Sequence, residues 1–221
     1  MKKFRSIAID GPAGAGKSDI SDILAKKLNF VHVDTGALYR AVALCFLGKS
    51  ITEHSIDIVL SNSYINVKFI NNTQLVYLNG ENVNGLIRTE EVGNMASASS
   101  VNGDVRKKLV ELQQKLASEA DVVMDGRDIG TVVLPDADVK VYLTASSKVR
   151  AERRFKELTA KGEQCDIDKI EQDIIDRDYR DMHREISPLK QADGAILVDS
   201  SDMTIDEVAD AIIGLYKDRH K

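Results

Sequence analysis

A glycine-rich loop near the N-terminus constrains the fold of this 221-residue chain more than any other stretch. Residues 11–18 read GPAGAGKS and fit the phosphate-loop pattern G-x-x-x-x-G-K-[ST]. The apolar residues 7–9 predict a strand before the loop, and apolar residues at helical spacing predict a helix after it. A strand, loop and helix in this order are typical of a parallel α/β sheet that binds phosphate beyond the carboxyl ends of its strands.

The loop is predicted to form a nucleotide site. Its binding residues are Gly11, Pro12, Ala13, Gly14, Ala15, Gly16, Lys17, Ser18 and Asp19. The glycines let backbone N–H groups converge on an anion, and the following helix adds the positive end of its dipole. We expect Lys17 to reach the β and γ phosphates and the Ser18 hydroxyl to coordinate Mg²⁺. The alternative is a glycine turn beside a surface lysine.

Charge and cysteine content exclude several classes of protein. The chain has 35 acidic and 30 basic residues, a balance that argues against a nucleic-acid binder and fits poorly with an oligonucleotide-binding protein. Cys45 and Cys165 have neither paired nor metal-ligand spacing, which favours a reduced, cytoplasmic chain. The basic residues at positions 2, 3 and 5 precede no signal-peptide core, and no apolar run approaches a membrane span.

Strands alternate with helices along most of the chain, which predicts βαβ units and a parallel sheet. Strands are predicted at residues 30–33, 122–124, 139–143 and 195–198, and helices at 18–29, 37–47, 106–118 and 204–216. Between residues 64 and 78 the apolar residues alternate around the turn Asn71-Asn72-Thr73 and predict a β-hairpin. A further short strand near Val83 and a helix around Glu90 are expected after it. The hairpin is expected to form a lid or an acceptor site, or else to decorate the surface.

Arginines cluster in residues 146–184, at positions 150, 153, 154, 177, 180 and 184. In the second helix of this segment, the apolar stripe of Ile170 and Ile174 continues at helical spacing through Arg177, Asp181 and Arg184. Burying these charges unpaired is costly, so we expect them to line a cleft that holds an anion or a polar ligand. The alternative is a solvated helix end with ion pairs. Guanidinium groups in a mobile segment suit phosphoryl transfer, because they pair with phosphate and can close the site to water.

Four motifs give the chain a resemblance to bacterial cytidylate kinases over nearly its whole length. They lie at residues 9–18, 34–41, 125–137 and 177–189. The resemblance implies the P-loop nucleoside monophosphate kinase fold, with a parallel five-stranded sheet, helices on both faces, a small antiparallel β insertion and a short helical lid. It also implies a core of residues 1–61, 93–145 and 185–221, an inserted β part of the monophosphate-binding region at 62–92, and an arginine-rich lid with its following helix at 146–184.

The activity implied by the resemblance is transfer of the γ-phosphoryl group of ATP to CMP or dCMP, with Mg²⁺, by a monomer. The cytosine edge would contact Ser97, Arg106 and Asp128, although pattern alone makes Ser97 a helix cap and Arg106 a solvated residue. The acceptor phosphate would bind Thr35, Arg40, Arg127 and Arg184, and the pentose would lie by Arg177 and Asp181. Asp125 would lie near the metal or the acceptor oxygen, and Arg153 and Arg154 over the donor phosphates. The predicted catalytic set is Lys17, Asp125, Arg127, Arg153, Arg154 and Arg184.

Asp19 departs from the family pattern, which usually has a small hydroxyl residue at this position. A carboxylate there would repel a nearby phosphate, so we expect weakened ATP binding. Two other functions stay open: a kinase for UMP or AMP, and a nucleotide-dependent switch or binding module without efficient transfer. The lack of an N-K-x-D base-reading motif argues against the switch.

Overall fold

The computed structural model describes residues 4–48, 50–71 and 73–219. Strands β1 (Ser6–Asp10), β2 (Val31–Asp34), β6 (Val122–Gly126), β7 (Val139–Thr144) and β8 (Ile196–Asp199) form a parallel sheet in the order β2-β6-β1-β7-β8. Strands β3 (Ile65–Ile70), β4 (Thr73–Leu78) and β5 (Glu81–Asn82) form a separate antiparallel sheet. The predicted hairpin and the predicted parallel sheet are therefore confirmed. Asn72 of the hairpin turn and the basic residues at positions 2 and 3 lie outside the described residues.

Helices cover both faces of the parallel sheet. They are α1 (Lys17–Leu28), α2 (Thr35–Leu44), α3 (Glu53–Asn62), α4 (Glu90–Ser99), α5 (Gly103–Ala117), α6 (Ser147–Ala160), α7 (Ile167–His183) and α8 (Ile205–Asp218). On one face, the buried Ile9 and Val141 of the sheet pack with Leu24 of α1 and Ile212 of α8. On the other face, Met124 packs in a second cluster that α5 helps to cover. Within the described part of the chain, no helix is long and apolar enough to cross a bilayer.

Three helical segments differ from the sequence prediction. Helix α2 begins at Thr35 because the Asp34 carboxylate accepts a hydrogen bond from the N–H of Ala37, and it ends at Leu44 instead of residue 47. Helix α3 was not predicted, although the Thr52–Ser55 capping box marks its start. A π-helix at Ile129–Val133 also escaped prediction, since it depends on tertiary hydrogen bonds.

Gly11 lets the phosphate loop approach β7 closely. It has φ 151°, and a Cβ here would lie 1.9 Å from the carbonyl oxygen of Leu143. We expect Gly11→Ala to displace the loop and to lower the free energy of unfolding by about 3 kcal/mol, because backbone atoms must move.

Urea denaturation measures this loss of stability. Gly162→Ala is the matched control, since Gly162 has φ 80° but no atom within 4 Å of the added methyl group. The strain of an alanine in this left-handed conformation should by itself lower the free energy of unfolding by about 1 kcal/mol. Equal losses at the two glycines would show that the close approach to β7 is not what constrains Gly11.

Candidate active site

The phosphate loop connects β1 to α1, with Gly14 and Gly16 in left-handed conformations. Lys17, the first residue of α1, is only 6% exposed, and its Nζ donates to the Pro12 carbonyl oxygen at 2.7 Å. Burial, together with the charge of the nearby Arg127, lowers the pKa of Lys17 to about 7. Among the described residues the Pro12 carbonyl oxygen is the one hydrogen-bond acceptor of the buried ammonium group, which is therefore suited to receive an anion.

Asp10 joins the phosphate loop to the motif that follows β6. Its two carboxylate oxygens accept the N–H groups of Ile129 and Gly130, each at 2.7 Å, and so hold the start of the π-helix. Burial raises the pKa of Asp10 to about 6. The register of β1 and β6 places Ile9 beside Asp125, so the loop and the second motif share one edge of the sheet. Asp10 had no role predicted from the sequence.

Arginines from three segments converge beside this edge. The Nε atoms of Arg40 and Arg177 are buried without a hydrogen-bond partner, and among the described residues neither arginine has a carboxylate within ion-pair distance. Burial lowers the pKa of both side chains, that of Arg177 to about 10. The charge of Arg127 contributes to the lowered pKa values of Arg40, Arg177 and Lys17, which places the loop lysine and the two arginines around one guanidinium group.

Asp181 is the acidic member of this cluster. Its carboxylate accepts from Arg127 Nε at 2.9 Å and lies 4.0 Å from Arg184 Nη1. Burial alone would raise the pKa of Asp181, but the positive charges of Arg127, Arg177 and Arg184 outweigh it, and the pKa lies below its ordinary value. Asp181 pairs with Arg127, whereas Arg40 and Arg177 have no carboxylate within ion-pair distance among the described residues, and such guanidinium groups suit a phosphate dianion.

The residues predicted to read a cytosine edge lie around the end of α4. Arg106 and Asp128 form a buried ion pair, and Arg106 Nη1 donates to the Ser100 carbonyl oxygen at 3.2 Å. The pattern-based interpretation of Arg106 as solvated is wrong, because the residue is only 3% exposed. Ser97 lines a cavity of about 290 Å³ together with Asp181 and Arg184.

Thr35 joins the ends of two strands. Its hydroxyl donates to the Asp125 carbonyl oxygen at 2.7 Å, and a Cβ at Gly126 would lie 2.8 Å from the same hydroxyl oxygen. A contact with an acceptor phosphate would require this hydroxyl to turn away from the carbonyl group.

Arg153 and Arg154 point in different directions. Arg153 Nη2 donates to the Ser200 carbonyl oxygen beyond β8 at 2.7 Å. Arg154 is paired with Glu157 at 2.8 Å and remains 43% exposed, while its charge contributes to the lowered pKa of Arg40. In this conformation the guanidinium groups of Arg153 and Arg154 do not converge on one binding site.

Sequence analysis missed His32. Its Nε2 lies 2.7 Å from Asp125 Oδ1. Burial would lower the pKa of His32, but the hydrogen bond and charge of Asp125 outweigh it and raise the pKa above its ordinary value. A single histidine within an apolar strand carries no sequence signal for this contact, since the pairing of β2 with β6 creates it.

Sequence analysis also missed Gln74, which connects the antiparallel sheet to the end of β2. Its side-chain amide accepts from the Asp34 N–H at 2.8 Å and donates to the Asp34 carbonyl oxygen at 3.1 Å. Arg88 then pairs with the Asp34 carboxylate at 2.9 Å. The insertion therefore helps to set the start of α2, which carries Thr35 and Arg40.

The chain is similar to known proteins over nearly its whole length. Residues 7–218 match the cytidylate kinase family model. Cytidylate kinase from Caldicellulosiruptor saccharolyticus is 49% identical over 219 residues, covering 98% of this chain and 96% of that protein. Cytidylate kinase from Lactobacillus johnsonii is 46% identical over 224 residues, covering 100% of this chain and 97% of that protein.

Solved structures with low sequence identity share the fold. An uncharacterized protein from Eubacterium ventriosum has a TM-score of 0.55 at 14% identity, covering 98% of this chain and 99% of that chain. Shikimate kinase from Bacteroides thetaiotaomicron has a TM-score of 0.51 at 14% identity, covering 96% of this chain and 98% of that chain. The expected P-loop kinase fold is thus confirmed, and the match over residues 7–218 together with the identities of 46% and 49% shows that the chain belongs to the cytidylate kinase family.

Proposed function

We propose that this protein transfers the γ-phosphoryl group of ATP to CMP or dCMP, giving ADP and CDP or dCDP. The observation that carries the proposal is the Nε of Arg40, which is buried without a hydrogen-bond partner among the described residues, beside an Arg127 side chain that also lies near the loop lysine. Two neighbouring phosphate sites suit a phosphotransferase, whereas a switch protein needs only one. The names of the relatives favour CMP over UMP or AMP as the acceptor.

The proposed roles divide the site between donor and acceptor. Lys17 and the loop N–H groups bind the donor phosphates, with Arg153 and Arg154 closing over them. The acceptor phosphate binds Arg40, Arg127 and Arg184, above the strand end that Thr35 holds. Arg177 and Asp181 flank the pentose, and Ser97, Arg106 and Asp128 contact the cytosine edge.

The donor set beside the loop fits Mg²⁺, a hard cation that prefers oxygen ligands and retains water. The Ser18 hydroxyl would coordinate the ion, and Asp125, with one oxygen turned toward His32, would hold one of its waters through the other. When bound, the ion supplies positive charge to the β and γ phosphates.

Positioning and charge neutralisation account for the catalysis proposed here. A dissociative phosphoryl transfer spreads negative charge over the equatorial oxygens, so fixed cations lower the barrier. Arg127 is suited to this task, because it lies near Lys17 and also hydrogen bonds to Asp181 on the acceptor side. Excluding water prevents loss of the phosphoryl group by hydrolysis.

The direct test is ADP production from ATP and Mg²⁺ with CMP, dCMP, UMP, AMP or no acceptor. We expect turnover with CMP and dCMP to exceed turnover with the other acceptors by about 100-fold, because a polar site rejects a base whose hydrogen-bonding groups differ. Equal turnover with UMP or AMP would contradict the proposed acceptor. ATP binding without acceptor-dependent ADP release would contradict the kinase and favour a binding module.

Asp19 offers a test of electrostatics in the donor site. It is exposed in the first turn of α1, directly after Ser18. We expect Asp19→Thr to lower the KM for ATP about fivefold, because removing the carboxylate removes a repulsion that solvent already screens in part. Initial rates at low and high salt measure the effect, which should shrink as salt rises.

Asp22→Thr is the matched control for that substitution. Asp22 lies one turn further along the same helix and is paired with Lys26. We expect it to leave the KM for ATP unchanged. An unchanged or raised KM in Asp19→Thr would show that the carboxylate does not oppose the donor phosphates.

A further inference from the structure

Arg150 contacts three separate elements of the molecule, although it lies outside the set of residues assigned to the reaction. It belongs to the first turn of α6 and is only 5% exposed. Its Nε donates to the Ala145 carbonyl oxygen at 2.9 Å, and its Nη1 donates to the Ala13 carbonyl oxygen at 3.0 Å. Its Nη2 pairs with Asp178 Oδ2 at 2.6 Å. One guanidinium group thus connects the end of β7, the phosphate loop and α7.

The contact with Ala13 determines the orientation of a peptide group in the phosphate loop. A trans peptide is planar, and its carbonyl and N–H groups point in opposite directions. Because Arg150 holds the Ala13 carbonyl oxygen, the N–H of Gly14 is turned to the opposite side of the loop. Side-chain carbons of Arg150 also lie 3.5–3.9 Å from the place where a Cβ at Gly14 would stand. Arg150 therefore contacts both residues that this peptide group joins, Ala13 through its guanidinium group and Gly14 through its side-chain carbons.

The contact with Asp178 reaches the helix that carries the acceptor residues. Asp178 is 9% exposed, and it lies between Arg177 and Asp181 on α7. Its Oδ1 is buried without a hydrogen-bond partner, so Arg150 supplies the stabilising contact through Oδ2. A buried carboxylate that loses its ion-pair partner is strongly destabilised, which ties the position of α7 to Arg150.

We propose that Arg150 is a positioning residue that sets the geometry of the donor loop and of the acceptor helix at the same time. It acts through Ala13 on the backbone that binds donor phosphates, and through Asp178 on the helix that bears Arg177 and Asp181. A guanidinium group can do this because its planar fork presents several donors in fixed directions, whereas a lysine offers one compact charge. The proposal rests on the proposed function for the identity of the two substrates.

Equilibrium binding of ATP and of CMP, each measured alone, tests the proposal. We expect Arg150→Met to raise the Kd for ATP about 30-fold and the Kd for CMP about fivefold, because both sites lose their common support. Asp178→Asn retains the contact with Ala13, so its Kd for ATP should change less than about threefold while its Kd for CMP rises about fivefold. Lys148→Met is the matched control on the same helix, since Lys148 is exposed, and should change neither constant.

A ¹H–¹⁵N correlation spectrum of protein labelled with ¹⁵N-glycine reports on the Gly14 amide group. If Arg150 only stabilised the fold, its substitution would not shift this resonance. The Gly14 amide resonance should shift in Arg150→Met and remain in place in Asp178→Asn. Lowered thermal stability with both Kd values within twofold of the original would overturn the proposal, as would equal losses of ATP affinity in the two variants. If Arg150→Met does not fold, Arg150→Lys carries the same expectations with a Kd for ATP raised about tenfold.

The binding experiments decide the role of Arg150 whether or not the protein phosphorylates CMP. ATP binding is measured without acceptor and without turnover, so an original protein that fails to phosphorylate CMP still reports on the loop. In that case the proposed function fails, while the difference in ATP affinity between Arg150→Met and Asp178→Asn still decides the role of Arg150.

Discussion

Lys17→Met should lower kcat/KM about 1,000-fold and yet leave the nucleotide-free protein more stable. The loss of activity, about 4 kcal/mol, follows from removing the cation that meets the donor phosphates. The gain in stability follows from burial, which lowers the pKa of Lys17 to about 7 and makes its ammonium group costly in the folded state. We expect the free energy of unfolding at pH 7 to rise by about 1 to 3 kcal/mol.

The stability gained in Lys17→Met should decrease as pH rises. The folded-state pKa of Lys17 lies below its ordinary value of 10.5, so the penalty is present in full below about pH 7 and fades as pH rises toward 10.5. Denaturant unfolding of the two proteins from pH 7 to pH 10 measures the difference. A Lys17→Met protein that is less stable than the original at pH 7 would contradict the argument.

Lys26→Met provides the comparison for that experiment. Lys26 lies on the same helix, is 65% exposed and pairs with Asp22 at the surface. The same chemical change there should alter activity less than twofold and stability by less than about 0.5 kcal/mol. Similar effects at the two lysines would show that neither burial nor the phosphate loop distinguishes Lys17.

Arg40→Met should raise the KM for CMP about 100-fold while changing the KM for ATP less than threefold. Arg40 is half-buried, its buried Nε has no hydrogen-bond partner among the described residues, and burial lowers the pKa of its guanidinium group. A bound phosphate would supply the absent counter-charge, and a charge-assisted contact of this kind contributes about 3 kcal/mol. Initial rates with each substrate varied in turn separate the two KM values.

Arg88→Met is the matched variant for Arg40. Arg88 also lies near the end of β2, but it is 57% exposed and already paired with Asp34. We expect less than a fivefold change in the KM for CMP, because a solvated ion pair contributes little. Equal effects of the two substitutions would mean that Arg40 has no special role at the acceptor phosphate.

Arg106 shows where local pattern and tertiary structure disagree. Its position on an amphipathic helix predicts solvation, yet it lies buried against Asp128 and the Tyr39 ring. The partner residues come from distant parts of the chain, so no spacing along α5 reveals them. Only the resemblance to the cytidylate kinase family drew attention to this residue beforehand.

Local periodicity and glycine positions were enough to predict the parallel sheet, the phosphate loop and the β-hairpin. The sequence also placed Arg177 and Asp181 on the inward stripe of α7. The tertiary structure alone decided which charges remain unpartnered, how Asp10 holds the π-helix, and that Arg150 joins Ala13 to Asp178. The physical reason is that these contacts join residues more than 20 positions apart, which meet only when the strands and helices pack.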